Sequence, residues 1–174
     1  LKEARHAFRN SISLLGVEKI HGLLVHRSVD LLKPRGELFL DLLLEFKELG
    51  LVEKIGVSVY DPKELDCVLD KFTPDIVQIP FSIADQRFKA SGHLKDLKSK
   101  GVEIHVRSVF LQGILLLEPE NLDPYFEPVL DFFQKLSRYS QEAGTSLLHT
   151  CLRFVLYQDE VDGVIVGVKS FKEL

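Results

Sequence analysis

Five short apolar runs, spaced by helix-patterned segments rather than tight turns, constrain this 174-residue chain more than any other feature. The runs are 23–25, 55–60, 75–80, 102–110 and 163–167. Between them the apolar residues recur at helical spacing. Leu1, Ala4, Phe8, Ile12 and Leu15 form one stripe, stopped by Gly16, and Leu38, Leu42, Phe46 and Leu49 form another, closed by Gly50. Asp61-Pro62-Lys63-Glu64 opens a helix with a capping residue, a first-turn proline and a capping-box glutamate, and Leu65, Val68, Leu69 and Phe72 face the core. Further helices are expected near 91–100, 128–142 and 146–157, the last turning Leu148, Cys151, Leu152 and Val155 inward.

Apolar strands joined by helices imply a parallel sheet covered by helices, with right-handed crossovers. Two architectures satisfy this, an open doubly wound sheet or a (β/α)8 barrel. The strand faces favour the barrel. Val102, Ile104 and Val106 share one face while Glu103, His105 and Arg107 share the other, and Ile55, Val57 and Val59 oppose Gly56, Ser58 and Tyr60. A barrel has one helix-covered face and an interior that becomes polar near its mouth. A complete barrel takes about 250 residues. The fold expected is therefore α/β, an incomplete (β/α)8 TIM barrel. It has about five parallel strand–helix units, with residues 1–174 forming one partial barrel domain truncated at both ends.

Composition narrows the function. With 22 Lys+Arg against 26 Asp+Glu, the net charge of −4 and the absence of a basic block argue against nucleic acid or an anionic membrane as the partner. No run reaches the roughly 18 apolar residues of a membrane span. Cys67 and Cys151 lie far apart without metal-ligand spacing, as expected of reduced thiols in a cytoplasmic protein. No HExxH-type histidine pair, Gly-rich phosphate loop or GxSxG elbow occurs, so no metal is assigned.

Barrel function gathers at the carboxyl ends of the strands. His26, Ser58, Gln78, Arg107 with Ser108, and Gly167 with Lys169 stand there, one polar or permissive group per strand. Singly, each has an ordinary structural explanation: a loop histidine, a turn serine, a glutamine on loop carbonyls, an Arg107–Glu103 ion pair, a strand-end glycine. Together they suggest one shared site. The polar cluster Asp85-Gln86-Arg87 is read as structural, and His21, near the start of its strand, as far from the mouth.

The run 14–27 (LLGVEKIHGLLVHR), Gly56-Val57-Ser58, Gln78, the run 108–115 (SVFLQGIL) and the run 164–170 (VIVGVKS) together resemble, in order and spacing, the later strands of the aldo-keto reductases. The resemblance covers essentially the whole chain and implies strands four to eight of that barrel. It implies NADPH-dependent hydride transfer between nicotinamide and a small carbonyl or alcohol substrate, without a metal. His26 then matches the histidine that hydrogen-bonds the substrate carbonyl, and Ser58 and Gln78 the groups holding the nicotinamide carboxamide. Arg107 takes the place of an aromatic residue that stacks on the nicotinamide. Ser108, Phe110, Leu111, Gln112 and Gly113 fall in the pyrophosphate loop, and Gly167, Lys169 and Glu173 at the adenosine end, with Lys169 facing a 2′-phosphate.

Three departures stand out. Arg107 is not aromatic, His21 replaces a usual Asp, and Val59 replaces a polar residue. The family's general-acid Tyr, its Lys and its Asp belong to earlier strands and have no counterpart here. Two other readings remain: an NADPH-binding regulatory barrel without turnover, and an unrelated barrel enzyme using His26 and Arg107 on a phosphorylated substrate. The chain by itself is expected to be a poor enzyme with apolar sheet edges.

Overall fold

A computed structural model describes residues 1–168, 170 and 171. Its five strands form one parallel sheet in chain order: β1 (Ile20–Val25), β2 (Val52–Ser58), β3 (Ile76–Pro80), β4 (Glu103–Arg107) and β5 (Gly163–Val164). The helices are α1 (Lys2–Leu15), α2 (Val29–Leu32), α3 (Glu37–Glu48), α4 (Pro62–Leu69), α5 (Arg87–Ala90), α6 (His93–Ser99), α7 (Leu130–Glu142) and α8 (Leu147–Leu156). Three 3-10 turns (Leu111–Leu116, Pro119–Asn121 and Pro124–Val129) fill the long connection before α7. This is the incomplete parallel α/β barrel expected from the strand faces. No helix among the described residues is long and apolar enough to cross a membrane.

Burial follows the alternation of side chains along a strand. Val57, Val59, Val77, Ile79, Ile104 and Val106 are buried in one core with Leu65, Val68, Phe88 and Leu97 from the covering helices. A second core, Phe8, Leu42, Leu43, Phe46, Val52 and Ile55, seats α1 and α3 on β2, with Phe8 stacked on Phe46 at 4.0 Å. A third joins Leu115 to Phe133, Leu136, Leu147 and Cys151 of α7 and α8. The opposite strand face carries Gly56, Ser58, Gln78, His105 and Arg107, which leaves the barrel interior to polar groups.

Several sequence expectations shift in detail. Asp61 caps α4, accepting from the Glu64 N–H at 3.0 Å, but the Glu64 carboxylate reaches back to the Tyr60 N–H rather than to that of Asp61. The helix expected near 91–100 forms as α6, and Gly92 at φ 83° separates it from a further short turn, α5, at Arg87–Ala90. Leu15, Leu38, Leu49 and Leu148 are exposed, since their helices roll so that Phe8, Leu42, Phe46, Leu147 and Cys151 face inward. β4 ends at Arg107 because Ser108 adopts φ 60° and turns the chain. β5 shortens with it: Ile165 still donates to the Val106 carbonyl at 2.8 Å, but beyond that it has no straight neighbour.

Both cysteines are free, Cys67 exposed and Cys151 fully buried. Burial pushes the Cys151 thiol up to about 11, which suppresses the reactive thiolate. Iodoacetamide at neutral pH is therefore expected to alkylate Cys67 alone in the native protein, and both thiols after unfolding. Mass spectrometry of the labelled peptides checks this, and rapid native labelling of Cys151 would contradict the packing of α8.

Candidate functional site

The sheet delivers three polar groups to one row. Val25 lies opposite Val57, so His26 follows directly beside Ser58, and Ser58 lies opposite Gln78. Ser58 is buried and its Oγ donates to Gln78 Oε1 at 3.5 Å, while the Val59 N–H donates to the Gln78 carbonyl at 3.0 Å. His26 is exposed, and among the described residues its ring makes no hydrogen bond, so both nitrogens are open to a ligand.

Arg107 reaches this row differently than its position suggests. In register it lies opposite Pro80, while His105 lies opposite Gln78, so the expected common level holds only for the first three strands. The side chain leans over the end of β2. Its guanidinium sits 4.4 Å from the centroid of the Tyr60 ring, with Nη2 donating to the Val59 carbonyl and Nη1 to Ser108 Oγ, both at 3.3 Å. Among the described residues no carboxylate pairs with Arg107, so the simple ion pair with Glu103 does not form. The result is a planar cation fixed at the mouth.

Beyond Arg107 the backbone turns through an unusual series: Ser108 at φ 60°, Leu111 at 44°, Gln112 at 58° and Gly113 at 94°. Among the described residues the Val109 and Phe110 N–H groups donate to no protein oxygen. Free amides along a left-handed turn form a concavity suited to anions. Ser108, Phe110, Gln112, Gly113 and the 165–168 segment, Gly167 included, line one cavity of about 720 Å³. Leu111 belongs to the same turn but does not line that cavity. Two blocks more than fifty residues apart in the chain thus meet in a single groove at the carboxyl end of the sheet. Lys169 and Glu173 lie outside the described residues.

Asp85-Gln86-Arg87 is structural, as read: Arg87 binds Asp85 through two bonds of 2.8 Å, and Gln86 donates to the Ile83 carbonyl. A cavity of about 710 Å³ between α7 and α8 is more apolar, but His26, Ser58, Gln78 and Arg107 do not line it.

The opposite end of the sheet holds a cluster that the spacing of histidines did not reveal. His21 Nε2 lies 2.9 Å and His105 Nε2 2.6 Å from the same Glu103 oxygen, Oε1. Lys54 pairs with the other Glu103 oxygen, and His21 Nδ1 lies 3.2 Å from Glu53 Oε2, while Lys19 binds Glu53 Oε1. Burial raises the Glu103 carboxyl, but hydrogen bonds from Lys54, His21 and His105 outweigh it and bring it to about 2. Hydrogen bonds to Glu103 and Glu53 raise His21. The alternation of Glu103, His105 and Arg107 along β4 is visible in the sequence. The arrival of His21 from β1 needs the curvature of the sheet.

The sequence matches the aldo/keto reductase family over residues 2–174. No curated protein sequence matches it. Among solved structures, the holo form of an aldo-keto reductase from Bacillus halodurans superposes with TM-score 0.74 at 21% identity, covering 97% of this chain and 57% of that one. The glycerol dehydrogenase from Gluconobacter oxydans gives TM-score 0.70 at 19% identity, covering 92% and 53% respectively. A thermostable aldo-keto reductase in complex with the inhibitor epalrestat gives 0.67 at 18% identity, covering 97% and 57%. The chain thus spans little more than half the length of these structures. With the family matched along nearly the whole chain and the same fold in those structures, this chain belongs to the aldo/keto reductase family.

Proposed function

We propose that this chain forms the nicotinamide-binding part of an NADPH-dependent oxidoreductase that interconverts carbonyl and alcohol groups of small molecules. The observation that carries the reading is the groove in which the turn through Gly113 meets the segment through Gly167, at the same carboxyl end of the sheet as Ser58 and Gln78. Its free amides fit a pyrophosphate, and its volume of about 720 Å³ lies in the range of small-molecule and cofactor pockets. Ser58 and Gln78 present a paired hydroxyl and amide to a carboxamide, Arg107 closes the mouth as a planar cation, and Lys169 would meet the 2′-phosphate. Glu173 completes the adenosine end in the same reading. The cofactor supplies the hydride. His26, donating from one ring nitrogen, orients the carbonyl oxygen and stabilises the charge that develops on it. The free thiols accord with a reducing, cytoplasmic setting.

A second reading, a cofactor-binding protein without turnover, is favoured by the tyrosines. Tyr125, Tyr139 and Tyr157 are exposed on the helical layer, and Tyr60 lies beneath Arg107. Among the described residues none of the four hydrogen-bonds to His26, so the first reading leaves proton donation to a group other than these tyrosines.

Fluorescence titration of NADPH into the full-length protein tests both. Saturable binding is expected, weakened about tenfold or more by Gly113→Val, because a β-branched residue at φ 94° costs about 1–3 kcal/mol. Absence of binding, or an unaffected Gly113→Val variant, would sink the proposal. Binding without aldehyde-dependent oxidation of NADPH would select the second reading.

A further inference from the structure

We infer that His21, Glu103 and His105 form a divalent-metal site at the amino-terminal end of the sheet, suited to Zn2+. The two Nε2 atoms and a carboxylate oxygen converge so that all three ligand atoms lie within 4.8 Å of one another. Two imidazoles and one carboxylate are a zinc-type donor set. Both histidines point the same nitrogen at the same oxygen, Glu103 Oε1, at 2.9 and 2.6 Å. A tetrahedral ion with bonds of about 2.0–2.1 Å holds its ligands about 3.3 Å apart. Each histidine nitrogen therefore needs to move away from Glu103 Oε1 by less than about 1 Å.

Two features outside the triad point the same way. His21 Nδ1 faces Glu53 Oε2 at 3.2 Å, the carboxylate–histidine arrangement that fixes a ring and presents its Nε2 lone pair to a metal. Gly163 leaves room for the other ring, since a Cβ there would lie 2.7 Å from His105 Cδ2. β5 thus presses its backbone against the imidazole and holds it in place.

Lys54 is the internal competitor. Its ammonium occupies the second oxygen of Glu103 and supplies the positive charge that the carboxylate otherwise lacks. On binding, the ion replaces the N–H that each Nε2 directs at Glu103; each ring keeps one proton, on Nδ1, any further proton passes to solvent, and the Lys54 ammonium withdraws from the carboxylate. No electron is transferred. Glu103 lies four residues and His105 two residues from Arg107 along β4, about 13 and 7 Å at a strand's rise, and none of the three ligands lines the groove at the mouth. A bound ion would clasp β1 to β4 across the interior rather than join in chemistry on a carbonyl.

The test is calorimetric titration of Zn2+ into the chelator-stripped full-length protein, with Co2+ absorption as a second readout. One equivalent is expected, with a Co2+ spectrum showing nitrogen and oxygen ligation. His105→Ala and Glu103→Gln should each weaken binding about a hundredfold or more, and Lys54→Met should tighten it. His21→Asn, at an exposed position that tolerates substitution, repeats the test should Glu103→Gln fold poorly. No saturable Zn2+ binding, or binding indifferent to both His105→Ala and His21→Asn, overturns the inference. Loss of NADPH binding alone would overturn only the proposed function, since the two sites share no residue.

Discussion

His26→Ala in the full-length protein is expected to lower kcat/KM for aldehyde reduction by roughly 10²–10³-fold, the usual consequence of removing one donor to a developing oxyanion. The affinity for NADPH should hardly change, because the groove lining does not include His26. Stability should hardly change either. The side chain is exposed, makes no hydrogen bond among the described residues and follows β1 in a bend, so its loss leaves nothing buried and unpaired. This separation makes the experiment clean: most strand-end substitutions confuse chemistry with folding, and this one does not. His26→Gln, which keeps a donor at a similar reach, should recover part of the rate. Steady-state kinetics beside an NADPH titration measure both quantities. An unchanged kcat/KM would remove His26 from the mechanism.

Gly56→Ala carries the largest expected cost in stability. Gly56 lies inside β2 with Leu24 opposite on one side and Ile76 on the other. A Cβ there would come to 1.7 Å from the Ile76 carbonyl oxygen and 2.8 Å from Ile76 Cγ2. The first of these is backbone, which cannot swing aside as a side chain can. β2 and β3 must separate or β2 must rotate, and either breaks ladder hydrogen bonds in the centre of the sheet. A loss of at least about 3 kcal/mol is expected. Ser58, two residues on, would move with the strand, so NADPH binding should fall as well. Gly22→Ala is the control. Its Cβ would meet Ile76 Cδ1 at 3.4 Å, an ordinary contact with a flexible side chain, and should cost under about 1 kcal/mol. Urea unfolding of the two variants gives the comparison, and equal midpoints would refute the close approach at Gly56.

Much of this architecture is legible without coordinates, for a simple reason. Strands with one buried and one polar face write a period of two into the sequence, and β4 does so plainly from Val102 to Arg107. Helix boundaries marked by Asp61-Pro62 and by Gly16, Gly50 and Gly101 are equally local. Rotation of a helix about its axis is not local. Leu148 and Leu147 are adjacent, and only the packing of α8 on the 3-10 turn at Leu115 decides which is buried. The extent of β5 is decided by Ser108, a residue just past the end of its neighbour β4. At the mouth, the identities of His26, Ser58 and Gln78 follow from strand ends alone. The bend of Arg107 onto Tyr60 depends on where β2 stops. At the other end, nothing in the spacing of His21, Glu103 and His105 announces that they meet, because their meeting is a property of sheet curvature.

That curvature bears on how the chain acquires its shape. Strand order follows chain order, so the sheet can grow one neighbour at a time. Ser58 and Gln78 are separated by only 20 residues, and even the link from Ile104 to Asp162 spans 58. Such pairings have modest loop-closure cost and can form successively as the polypeptide emerges during synthesis. The bond from His21 to Glu103 spans 82 residues and skips two strands. It is available only after β1 to β4 have all taken their places and begun to roll. The cluster is thus a late contact, placed on the unfolding side of the transition state, where weakening it would hasten opening of the barrel while leaving its rate of assembly nearly unchanged.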